Sequence, residues 1–170
     1  MTSFHNIYIV DVKLQFRNKH NEAFLRMVMN SKKTGAINIS RKNIIGKHIA
    51  SFIRYSNLPV KQSSGVVLNI SNTPYNDENY YCYFSVRDQH QINDYLDSLF
   101  IIFFQKIMVE GKRQNRMFKT IIEIFISYFS LENDPTIYDR LKKFDYRDRE
   151  YHASIVTKGF HRLSNQYITK

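Results

Sequence analysis

The sequence predicts an α+β fold: an N-terminal strand and two helices, a β-hairpin, then a C-terminal group of three helices. Three observations predict it. Residues 7–16 alternate at the period of a strand, residues 65–86 hold two β-branched and aromatic runs split by turn formers, and residues 88–144 repeat apolar positions at helical spacing.

In the first strand Tyr8, Val10, Val12, Leu14 and Phe16 face one way, against Ile7, Ile9 and Asp11. Asn21 is expected to cap a short helix, EAFLRMVMNS, ending before Gly35. Ser40 is the expected N-cap of a second helix through ISRKNIIGKHIASFIRY, residues 39–55. On that helix Ile45, Ile49, Phe52 and Ile53 share a face, and Asn43, Lys47, Ala50 and Arg54 share the opposite one. Pro59 disfavours helical geometry just before it, so the helix stops near Asn57.

GVVLNIS and NYYCYFSV, with NTPYNDE between them, read as the hairpin. Asp88 and Gln91 resemble a capping box for a helix running to about residue 110, where Gly111 and KRQN mark a turn. A helix over 116–131 follows, with Met117, Ile121, Ile124, Phe125 and Tyr128 inward. Asp134-Pro135 starts a third helix with Ile137, Leu141 and Phe144 inward. Residues 151–170 read equally as a terminal strand or a basic tail. With no repeat and no Pro/Gly-rich linker, residues 1–170 are expected to form one domain, subdivided at most into a basic α/β part (1–88) and a helical part (89–150).

Net charge is +10, and it is concentrated. Residues 1–72 carry 11 Lys/Arg against 2 Asp/Glu, residues 73–110 carry 2 against 6, and residues 111–170 carry 12 against 7. A field of this sign attracts polyanions, with nucleic acid the commonest; the plainer reading is a solvated basic surface that keeps the protein soluble. The one cysteine, Cys82, excludes an internal disulfide and a cysteine metal cluster, and suits a reducing, cytoplasmic setting. The N-terminus lacks the pattern of a secretory signal. SLFIIFFQKIMV falls short of the ~20 apolar residues that span a bilayer, so no membrane partner is expected. Abundant Ile, Asn, Lys and Tyr with little Ala and Gly fit AT-rich coding sequence, as in many viruses and mobile elements, and a viral protein would act inside its host cell.

The leading functional expectation is a non-enzymatic nucleic-acid binder, DNA favoured, acting as a regulator or accessory factor. Arg41, Lys42 and Lys47 would contact phosphate, Asn43 and Arg54 would reach base edges, and Lys32, Lys33 and Lys61 would supply background field. The order helix, helix, two strands is compatible with a winged helix. Against it stand the long polar NSKKTGAIN between the helices and the acidic Asp77 and Glu78 at the hairpin tip. Tyr81 and Tyr83, on one side of a strand, offer a stacking alternative for single strands, though tyrosines equally fill a half-buried sheet face.

The alternative is a protein-interaction factor, with a homodimer through the C-terminal helices. A metal-dependent nuclease comes third: His90, Asp94 and Asp97 line one helical face, and Glu110 with Lys112 forms an E-x-K. Acids in a first helical turn are equally explained by the helix dipole. No catalytic, metal or cofactor residues are assigned. The five glycines are scattered singly, which argues against a phosphate-cradling loop.

Overall fold

The computed structural model describes residues 9–62, 64–71 and 80–144. Two compact units divide the chain, Met1–Phe100 and Ile101–Lys170. The class is α+β.

The first unit holds β1 (Ile9–Leu14), α1 (Lys19–Val28), β2 (Ile37–Ile39), α2 (Ile44–Ala50), β3 (Arg54–Ser56), β4 (Val66–Ser71), β5 (Tyr81–Tyr83) and the start of α3 (Val86–Arg113). The first sheet has the order β1-β4-β2, with β1 antiparallel and β2 parallel to β4. Register follows burial. Val12, Leu68 and Ile37 stand side by side, as do Val10, Ile70 and Ile39, so one face of all three strands is apolar. Leu14, Leu25, Ile49, Ile92 and Leu96 are as fully buried as Val12, Ile37, Leu68 and Ile70 of this face and complete the core of the unit, while Val10 at its end is half-buried.

The expected hairpin is not formed. Both edges of β4 are occupied by β1 and β2, which leaves no edge for β5, and β5 pairs instead with β3 in a second, two-stranded sheet. A winged helix is not formed either, since β2 lies between α1 and α2 and the two wing strands sit in different sheets. The expected acidic tip, Asp77 and Glu78, lies outside the described residues.

The expected helix over 39–55 is also corrected. Its first residues end β2, its centre is the seven-residue α2, and its last residues form β3. Ser40 is not the cap; the Asn43 side chain accepts a hydrogen bond from the Ile45 amide at 2.8 Å. Gly46 and Ala50 are buried, and a Cβ on Gly46 would stand 2.1 Å from the Ser40 carbonyl oxygen. The turn between β2 and α2 therefore needs a bare backbone here. Gly46→Ala is expected to cost about 2 kcal/mol, checked by denaturant unfolding, because the obstacle is main chain and cannot rotate away.

α1 starts at Lys19, before the expected cap, and Asn21 is fully buried inside it. α1, α3 and α4 (Phe118–Tyr128) all end with a residue in left-handed geometry: Asn30 at φ 51°, Asn115 at φ 56° and Ser130 at φ 53°. The next amide reaches back to close each helix, Ser31 to Arg26, Arg116 to Gly111 and Leu131 to Ile126. α3 thus runs past Gly111, which was expected to mark the turn. Gly111 is buried instead, and a Cβ there would meet Ile121 Cδ1 at 2.6 Å.

The second unit comprises the last turns of α3, α4, and a helix α5 over 137–144. Its core centres on phenylalanines, with the Phe125 ring 5.0 Å from Phe104 and 4.9 Å from Phe129. This cluster turns α4 so that Ile121, Ile122, Phe125 and Ile126 are buried, while Met117, Ile124 and Tyr128, expected inward, are exposed. Ile137 and Leu141 of α5 are buried as expected. The tail over 151–170 lies outside the described residues. Among the described residues no helix is long and apolar enough to cross a membrane.

Candidate functional site

The residues expected to form one basic helical face are dispersed. Asn43 spends its side-chain oxygen on capping α2, Ala50 is buried, and Arg54 lies on β3. Lys32, Lys33, Lys42, Lys47 and Lys61 are exposed, and Arg41 is half-buried. A base-reading helix carrying Asn43 and Arg54 is therefore absent.

Arg54 binds Asp88 through two contacts, Nε to Oδ2 at 2.5 Å and Nη2 to Oδ1 at 2.9 Å. Asp88 is buried, and it also accepts hydrogen bonds from the amide and hydroxyl of Ser85 while its own amide donates to Ser85 Oγ. This reciprocal pair starts α3 three residues before the expected cap. The Arg54 guanidinium holds the Asp88 carboxyl well below the usual carboxylate range; burial opposes this, and the Ser85 donors add to it. A carboxyl depressed in the folded state stabilises fully above its unfolded pKa and loses that contribution as pH falls. Asp88→Asn is expected to cost about 2 kcal/mol at pH 7, with the gap to wild type constant down to about pH 5 and narrowing below about pH 4 in urea melts.

β1 pairs with β4, and on its other side the backbone beyond the ladder is satisfied by side-chain amides. Lys13 N–H donates to Gln62 Oε1, Gln15 N–H to Gln89 Oε1 and Arg17 N–H to Asn93 Oδ1, at 2.7, 3.0 and 2.9 Å. Gln62 also donates to the Cys82 carbonyl, and Asn93 to the Gln15 and Gln89 carbonyls. This amide seam blunts the strand edge against another chain and ties β1 to β5 and to α3. Sequence reading missed it. One signal was available: Gln89 and Asn93 lie on the same helical stripe as the buried Leu96 and Phe100.

Two hollows lie along the seam and share Val86 and Gln89 as borders. One, about 370 Å³, is lined by Lys13, Lys61, Tyr83 and Gln62; the other, about 330 Å³, by Phe16, Arg17, His90 and Asn93. Neither is lined by a carboxylate among the described residues. Beside them, the register of the second sheet places Arg54, Ser56, Tyr81 and Tyr83 on one face, opposite Cys82. Tyr81 is 50% exposed, so its ring is open to a ligand.

The acids nearby are engaged with cations. Arg17 bridges Asp94 and Asp97 at 2.8 and 2.9 Å, His20 Nε2 lies 2.6 Å from Asp97 Oδ1, and Glu22 pairs with Arg26. The lysines are consequently the outward field of this unit, opposed by the exposed carboxylate of Asp11 on the same side of β1 as Lys13. Asp94 and Asp97 thus serve as partners of Arg17 and His20. Among the described residues no cluster of His, Cys, Asp and Glu is arranged to hold a metal ion. Glu110 lies on α3 rather than on a strand and accepts from Gln114. Cys82 is buried, which pushes its thiol pKa up and makes it a poor nucleophile. Comparison with protein families, with curated proteins and with solved structures finds no match for the chain, so its function has to be read from its own residues.

Proposed function

We propose that the protein is a non-enzymatic nucleic-acid-binding factor acting inside the cell, with DNA as its first partner. The observation that carries this reading is the hollow walled by Lys13 and Lys61 with no described carboxylate among its lining residues, adjoined by a second whose Arg17 is already held by Asp94 and Asp97. Such a surface concentrates phosphate, and the net charge of +10 steers a polyanion toward it. Fluorescence anisotropy with labelled DNA and RNA at low salt tests it. Binding that weakens steeply as salt rises is the expected result; no binding to any form at low salt overturns the proposal.

A second reading is supported by the second unit. Ile102 and Val109 on α3, and Ile124 and Tyr128 on α4, are 46–66% exposed at helical spacing, as expected of helices that meet a second copy of the chain. Sedimentation at several protein concentrations checks this; a mass that stays monomeric up to the highest concentration removes it.

A further inference from the structure

We infer that the groove beside the second sheet takes a single strand rather than a duplex, with an unpaired base stacked on Tyr81 and the adjoining phosphates held by Lys61 and Lys13; this rests on the nucleic-acid reading above. Tyr81 and Tyr83 alternate with buried Cys82 on β5, and the pairing of Arg54 with Tyr83 and Ser56 with Tyr81 fixes both rings on one face. Tyr83 also lines the hollow that holds Lys13 and Lys61, so the aromatic face leads directly into the cationic one. That order, a ring followed by lysines, matches a strand whose bases project to one side and whose phosphates run along the other.

A duplex gains little from this arrangement. Its bases are already stacked on one another, so an exposed ring has no base face to meet, and reading base edges needs an element that enters the major groove. The helix best placed by its charge for that role, α2, has seven residues, buries Gly46 and Ala50, and has its Asn43 side-chain oxygen engaged. A single strand uses what this unit exposes beside the second sheet: the Tyr81 ring, Lys13 and Lys61, and hollows bordered by neutral amides.

The test uses the full chain and labelled probes of about 12 nucleotides, oligothymidylate and a duplex of equal length, titrated by anisotropy. Wild type is expected to bind the single strand at least about tenfold more tightly than the duplex. Tyr81→Ala should lose about tenfold on the single strand and little on the duplex, while Tyr81→Phe, which keeps the ring, should bind as wild type does. Because the chain has no Trp, quenching of its tyrosine emission by oligothymidylate gives a second readout, reduced in Tyr81→Ala. Equal or tighter duplex binding, or unchanged single-strand affinity in Tyr81→Ala, overturns the inference while leaving nucleic-acid binding intact. Absence of binding to either probe at low salt overturns the parent reading and this one with it.

Discussion

Asn93→Ala is expected to destabilise the protein by about 4 kcal/mol and to lower Tm by roughly 10 °C. Asn93 is 3% exposed, and its amide accepts from the Arg17 N–H and from Asn21 while donating to the carbonyls of Gln15 and Gln89. Truncation strands two backbone groups of the β1–α1 connection, the Arg17 N–H and the Gln15 carbonyl, each costing about 1–3 kcal/mol when left unmade without water, and takes one of two acceptors from the fully buried Asn21 amide, which keeps the Asn93 main-chain carbonyl. Asn93→Asp keeps the acceptor toward Arg17 and Asn21 but loses both donors, so it should fall between wild type and the alanine variant in urea titrations. A loss under about 1 kcal/mol for Asn93→Ala would show that water replaces the seam at little cost.

Reversing both groove lysines, Lys13→Glu with Lys61→Glu, is expected to weaken nucleic-acid binding about a hundredfold while leaving stability within about 0.5 kcal/mol. Both side chains are exposed, and the Lys13 contact to Gln62 is made by its backbone amide, which the substitution keeps. Asp11→Asn is the opposite change on the same side of β1 and should tighten binding severalfold. Anisotropy at fixed salt measures both. The same double reversal placed at Lys32 and Lys42, outside the residues that line the hollows, should have a smaller effect; an equal effect would point to a diffuse field rather than a site.

The local patterns in the sequence carried further than the pairings did. Alternation in β1 placed Val12 and Leu14 inward, and the 3.6-residue period found α3 and the buried Ile137 and Leu141 of α5. Strand partners depend on which edges are free, and nothing in GVVLNIS says that β1 and β2 will occupy both sides of it. The helix over 39–55 is shorter than its pattern suggests because isoleucines at helical spacing also fit a strand, a short helix and a strand in succession, and the close approach of Gly46 to the Ser40 carbonyl has no sequence sign. On α4 the stripe was misplaced by one position, since Ile121, Ile122, Ile124, Phe125 and Ile126 leave two faces nearly equal in apolarity and the phenylalanine cluster decides between them. Lys61 and Tyr81 were legible as candidates; their setting beside Lys13 and the amide seam was not, because polar residues such as Gln62 and Gln89 give no sequence sign of facing one another.

Nucleic-acid binding through this groove is most directly tested by the salt dependence of single-strand affinity, compared between wild type and Lys13→Gln with Lys61→Gln. Each lysine that neutralises a phosphate on a single strand contributes about 0.7 to the slope of log K against log salt. The double variant is predicted to lose about 1.4 from the slope of the wild type; an identical slope in both proteins would place the phosphates elsewhere and contradict the groove as the binding site.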